Sequence, residues 1–330
     1  MHLEKDNMAV NLIRICGALL IFLCHACSES GSTIGGILGQ FFNVGVPVFF
    51  VLSGYLHSLK AAPIHTVKWY AKKLQRLMVP LYIFLAILAV IYFITGYSIN
   101  WAVWLQSVIP VCGLTENYIS GCGQLWFLTH LLVCYLVTPL LQRNRVNLSL
   151  WKLALLWGVV AILLAYMVPP IWCTLWNSFF NYCVGFYAIP RLLKKRHHDI
   201  ALMGSALFAC GLRLVFRAIV DDTPLYNTVA TEVCSIVLAC SMFVFFYQMG
   251  ESAEGKASVF ICGILSVISK RTYEFYLSHY IFLNGNLRIK VAGNVWVDAI
   301  LSFALAVILA EIIYEVKSAI ETGTRKMCSH

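Results

Sequence analysis

The 330 residues are 60% hydrophobic and only 12% charged, with nine Trp, sixteen Tyr and twenty Phe. A soluble domain needs far more polar surface, so this composition excludes one and calls for a membrane as solvent. The formal net charge of +9 would suit a nucleic-acid binder, but the placement of the basic residues points to membrane topology instead.

In chain order, "MHLEKDN" precedes an apolar run that holds Arg14 and lacks a small-residue cleavage site, which predicts an uncleaved first helix. Spans are predicted near 8–27, 39–59, 78–95, 125–142, 151–168, 172–190, 200–219, 229–248, 272–289 and 295–316. The expected fold class is therefore an all-α polytopic membrane protein of about ten transmembrane helices. With both termini in the cytoplasm, Arg288, at the outer edge of its span, and Lys290 fall outside, and Arg14, Arg213 and Arg217 fall within spans. All other Lys and Arg then lie on inner segments or, like Lys152, at the inner edge of a span, as the positive-inside rule demands.

Two apolar stretches are too short to cross. "WAVWLQSVIPVC" (101–112) reads as an outer re-entrant or interfacial segment, and "ASVFICGILSVISKR" (257–271) as a helix along the inner surface. No repeat, low-complexity tract or linker interrupts the chain, so residues 1–330 are expected to form a single membrane domain. Most of the thirteen Cys fall inside spans, where they act as small hydrophobes. Cys112 and Cys122 share an outer loop, at a spacing that suits either a disulfide or two free thiols. No CxxC with a nearby His occurs, so no metal site is expected.

The polar residues within the spans carry the functional signal. Arg14 and His25 are eleven residues apart, which brings them to one helix face with ~16 Å of axial separation. Such a stripe must face protein or water, unless it is merely a snorkelling Arg and an interfacial His. The second span holds Asn43, Gly45 and Pro47 early and Ser53-Gly54 late; a Pro there frees backbone carbonyls, usually beside a cavity. The third span is entered through "YAKKLQRLMVPLY", where Lys73 and Arg76 share a face, backed by Lys72. A cluster of this kind is topogenic or lipid-binding, or it holds the phosphates of a nucleotide-like donor.

The Arg-x10-His first helix, "VPVFFVLSGY", the basic-x-x-Arg–Pro entry to span three, "LWFLTHLLVCYLVTPLL" and "YEFYLSH" occur in this order. Together they resemble the acyltransferase family 3 of integral membrane proteins, over about residues 8 to 284. The resemblance implies a membrane O-acyltransferase of the bacterial plasma membrane that uses acyl-CoA, with acetyl-CoA the expected co-substrate and no permanently bound cofactor. Its acceptor would be a hydroxyl of a cell-envelope glycan. A transporter or flippase of a small metabolite or glycan is the alternative. The family's functional hallmarks fall on Arg14, His25, Lys73 and Arg76. Two departures stand out: Asn11 occupies a position where the family often has Asp, and Lys73 stands where a second Arg is common.

Acyl transfer from a thioester to a hydroxyl needs a base, and His, with an unperturbed pKa of ~6.5, suits the task. His25 is the candidate general base or acyl carrier, with Arg14, Lys72, Lys73 and Arg76 at the donor's cytoplasmic end. Asn43, Ser53, Trp126, His130, Asn181, Arg213 and His279 are candidates for lining the acceptor site or a pore. For His130 and His279 a hydrogen-bonded structural role competes. Arg213 and Arg217 are expected to pair with Glu232, and Glu311 and Glu315 with Lys270 or Arg271. Asn177, Asn181 and Tyr182 fit either the acceptor path or helix–helix hydrogen bonds.

Overall fold

In the computed structural model, residues 7–144, 149–194, 199–220, 223–254, 259–291 and 293–327 are described. The basic run at 195–198 and the outer turn at Asp221 and Asp222, on which part of the predicted topology rests, lie outside them. Helices alone form secondary structure among the described residues. In chain order they are α1 (Met8–Ser28), α2 (Thr33–Phe42), α3 (Gly45–Ser58), α4 (Thr66–Thr95), α5 (Trp101–Val108), α6 (Cys112–Thr115) and α7 (Trp126–Arg143). Then follow α8 (Leu150–Met167), α9 (Pro170–Tyr187), α10 (Ile189–Leu192), α11 (Asp199–Val220), α12 (Thr231–Glu254), α13 (Val259–Lys270), α14 (Thr272–Ser278) and α15 (Val295–Met327).

The protein is an all-α polytopic membrane protein. Seven helical segments are long and apolar enough to cross a bilayer: Met8–Ser28, Thr33–Ser58, Thr66–Thr95, Gly123–Arg143, Leu150–Met167, Tyr226–Ala253 and Val295–Gly323. Of the remaining predicted spans, 172–190 and 200–219 coincide with α9 and α11. The stretch 272–289 is different, because its helix stops at Ser278 and continues as one 3-10 turn, Tyr280–Phe282. The Ser278 hydroxyl bonds the Ala306 carbonyl of α15, and Gly285 at φ 83 turns the chain where a side chain would be strained.

Two compact units interleave along the chain. The first comprises the chain up to Cys24, Ile37–Ile64 and His130–Ser269; the second comprises His25–Gly36, His65–Thr129 and the chain from Lys270. In the first, α3 and α9 cross with their backbones nearly touching. A Cβ on Gly54 would stand 2.0 Å from the Tyr182 carbonyl oxygen, and one on Gly185 would stand 2.0 Å from that of Val51. Small residues permit this approach, the usual means of packing helices in lipid, where no hydrophobic force separates helix from tail. The Tyr182 hydroxyl at this crossing bonds Thr138 (2.6 Å) and His57 Nδ1 (3.0 Å).

The break between α2 and α3 falls at Asn43-Val44, three residues ahead of Pro47. Pro47 thus sits in the first turn of α3, where its missing N–H costs nothing. Gly45 lets the restarted helix pass the Gly17 carbonyl, 2.7 Å from where a Cβ would be.

In the second unit, α15 buries Ala299, Ser302, Ala306, Leu309, Ala310 and Ile313. That spacing of three to four is one helix face, and Ile300, Leu301, Leu305, Ile308 and Ile312 on the other are exposed. So many bare aliphatic side chains suit contact with lipid rather than water. The first short apolar stretch, expected on the outer side, appears as α5, too short to span, tied to the start of α7 by Thr129, whose hydroxyl donates to the Pro110 carbonyl and accepts from Gly113 N–H. The other short apolar stretch, expected along the inner surface, is α13 of the first unit, twelve residues with Val259, Phe260, Ile264, Val267 and Ile268 exposed.

Cys112 and Cys122 are free and fully buried, and burial pushes both thiols up. Alkylating the protein after denaturation without reductant should label both residues. Labelling that needs prior reduction would mean that they are bridged.

Candidate active site

α1 runs unbroken from Met8 to Ser28, so Arg14 and His25 ride one continuous helix. His25 lies in the second unit, where α1's last turn meets the chain after α14. Its imidazole packs on the Tyr280 ring, centroids 4.3 Å apart, and on the His279 ring, 5.3 Å apart. His279 is wholly buried, and its Nδ1 lies 2.7 Å from the Tyr276 carbonyl oxygen. A carbonyl only accepts, so Nδ1 carries the proton and Nε2 keeps its lone pair.

One turn beyond His25, Glu29 anchors this end of the unit. Its carboxylate takes Arg288 Nη1 (3.1 Å) and Asn284 Nδ2 (2.5 Å), with the Tyr280 hydroxyl at 3.5 Å. Arg288 Nη2 also donates to the Glu29 carbonyl. Tyr280 therefore joins the carboxylate to the His25 ring, and both aromatic contacts of His25 are held by the network behind them. A small cavity beside it is lined by Glu29, Arg288, Asp298 and Ser302 among others. Asn286 closes the same end, bonded to Ser120, Tyr97 and Tyr92.

At the other end of the second unit, α4 begins with the basic cluster. Lys72 and Arg76 are exposed and Lys73 is half-exposed, its ammonium 5.3 Å from the centre of the Trp69 ring. Pro80 lies within α4 and removes the N–H that would bond the Arg76 carbonyl. The Tyr273 hydroxyl donates to the next carbonyl, that of Leu77, at 3.0 Å. Beside it, Arg271 pairs with Glu311 and lies 3.8 Å from Glu315, as expected from sequence. Lys317 pairs with the fully buried Glu274 at 2.7 Å.

The remaining candidates belong to the first unit or to helix starts. His130 is fully buried with Nδ1 3.0 Å from Ser178 Oγ, an arrangement that joins α7 to α9. Asn181 donates to Glu232 at 2.7 Å, while Arg213 reaches Ser235 at 3.3 Å. The Arg213–Glu232 attraction expected from sequence is present as an interaction of the two charges, with Asn181 and Ser235 supplying the hydrogen bonds. Asn177 ties α9 to the Thr228 carbonyl and to Trp157. Asn43 is exposed in the α2–α3 break, and Ser53, Trp126 and Arg14 are half-buried.

Sequence reasoning passed over Glu29, Tyr280, Asn284 and Arg288. The signal for Glu29 was its place four residues after His25, on the same helix face. The other three became legible only once α14 had been seen to end at Ser278.

The long apolar helices define a polytopic membrane protein, in which the His25 and His279 rings meet at one end of the second unit and exposed basic residues lie at the other. The chain belongs to acyltransferase family 3: that family's model, described as an acyltransferase domain, matches residues 7–315, nearly its whole length. No curated protein and no solved structure matches it.

Proposed function

We propose that the protein is a membrane O-acyltransferase that moves an acyl group, in the first instance acetyl, from cytoplasmic acyl-CoA to a hydroxyl of a cell-envelope carbohydrate. The observation that carries this reading is His25, seated against Tyr280 and His279 in a chain of the acyltransferase family. The membrane would be the bacterial plasma membrane, with both termini cytoplasmic.

The chemistry follows from the residues. Lys73 and Arg76, with Lys72 beside them, bind the phosphates of CoA, and Arg14 meets the donor further along α1. From Leu77 to Tyr92 the helix rises ~22 Å, a length matched to an extended pantetheine arm. His25 takes the proton of the acceptor hydroxyl, whose oxygen attacks the thioester carbonyl carbon. The carbon–oxygen bond forms, the carbon–sulfur bond breaks, and the proton passes to the departing thiolate. Within the first unit, Asn181, Arg213 and His130 serve packing between helices.

The test is acyl-CoA-dependent thiol release by membranes that hold the protein, together with the mass of envelope sugars made with and without it. A mass gain of one acyl group is expected; accumulation of a labelled metabolite without acyl-CoA use would favour a transporter. Lys73→Ala with Arg76→Ala should weaken CoA binding by about 1.5–3 kcal/mol per lost charged contact. Unchanged CoA affinity in the double variant would return the cluster to lipid and topology.

A further inference from the structure

His279 is buried on all sides, yet its Nε2 has no hydrogen-bond partner. Buried nitrogens are rarely left so, and each needs an explanation. The Tyr276 carbonyl fixes the proton on Nδ1, so this orphan is specifically an acceptor in want of a donor. The ring nearest to it with a nitrogen to offer is His25, at 5.3 Å between centroids and an interplanar angle of 35°. From that separation a small turn of one ring brings two imidazole nitrogens within hydrogen-bonding reach.

The other charged and titratable groups facing this pair are engaged elsewhere. Glu29 is bound to Arg288 and Asn284, the Tyr276 hydroxyl donates to the Gln124 carbonyl at 2.5 Å, and Tyr280 leans toward Glu29. A His25 that accepts a proton becomes a cation within apolar surroundings, where an unsupported charge is costly. In hydrolases that use a histidine base, a buried carboxylate holds the ring and steadies the imidazolium. The vacant Nε2 of His279 offers the same service without adding a negative charge.

Resting on the reading of His25 as base, we infer that His279 is its positioning residue, and that the two form a histidine dyad. His25 donates one N–H to His279 Nε2 and uses its other nitrogen to take the acceptor's proton. That proton leaves with the thiolate, so the dyad returns to its starting state with atoms and charge balanced. His279 closes α14, where Tyr276 holds its ring, and the 3-10 turn that begins at the next residue lays Tyr280 against the other side of the His25 contact.

Two isosteric variants separate this from a packing role. His279→Asn reaches the Nδ1 position and keeps the bond to Tyr276 while vacating Nε2; His279→Gln puts an amide oxygen near Nε2. Membranes with equal amounts of folded full-length protein are assayed for acyl-CoA-dependent thiol release. The dyad requires His279→Asn to lose about 10–100-fold in kcat, the scale of a hydrogen bond lost by an ionised group. Its KM for acyl-CoA should not change, and His279→Gln should recover most of the rate. An Asn variant as fast as the parent, or a Gln variant as slow as Asn, would overturn the dyad and leave His25 standing alone. A parent that releases no thiol would instead remove the acyltransferase reading itself.

Discussion

Replacing His25 by Gln should lower acyl transfer by about 10²–10⁴-fold, while the protein still inserts and binds acyl-CoA. Gln keeps the size of the ring and one hydrogen bond, but it takes up no proton at neutral pH, and an acid–base contribution of that order is what a positioned histidine supplies. The surroundings of His25 predict a clean loss. Its ring rests on Tyr280 and His279, and these are held by Glu29, Asn284 and the Tyr276 carbonyl rather than by His25 itself. His25→Ala should behave alike. Arg14→Ala should differ, raising the donor concentration needed before it lowers turnover. A Gln variant that kept more than about a tenth of the parent rate would fall short of this range and demote His25 to an orienting role.

Gly54→Val should have the largest effect on folding. The branched side chain would be forced into the Tyr182 carbonyl, where even a Cβ would stand at 2.0 Å. Backbone does not yield as a flexible side-chain tip does, so α3 and α9 would have to separate. The Trp157–Phe180 stack and the Thr138–Tyr182–His57 chain lie along these helices. Their loss would add to overpacking that by itself costs ~1–3 kcal/mol. Gly185→Val, set against the Val51 carbonyl, should give the same result from the opposite side. The measurement is the yield of monodisperse protein after mild detergent extraction. Gly158→Val is the control, because nothing stands within 4 Å of a Cβ there. Equal yields for Gly54→Val and the control would show that the crossing tolerates separation.

Much of the architecture was legible in one dimension because a bilayer imposes a simple rule. A span must be apolar for about twenty residues, must satisfy its own backbone, and must leave charges at its ends. That rule identified the membrane class and the short segments at α5 and α13; the family was legible separately, from its resemblance in local runs such as "YEFYLSH". It also located His25 and the Lys73–Arg76 cluster, since an ionisable group in or beside a span is conspicuous by composition alone.

Three features belonged to tertiary structure. Hydropathy reads 272–289 as one span, but hydropathy is blind to a hydroxyl such as Ser278 that reaches another helix's carbonyl, or to a Gly at positive φ. Partner choice was equally hidden. Arg213 and Glu232 attract each other as their charges suggest, but their hydrogen bonds go to Ser235 and Asn181, because hydrogen bonds depend on ångström-scale geometry that charge patterning does not encode. The pairing of His25 with His279 joins residues over two hundred positions apart, and no periodicity links them. A sequence states which groups lipid will not tolerate; only the packed chain decides which of them meet, because that depends on where each helix stops and how closely its small residues let the next one approach.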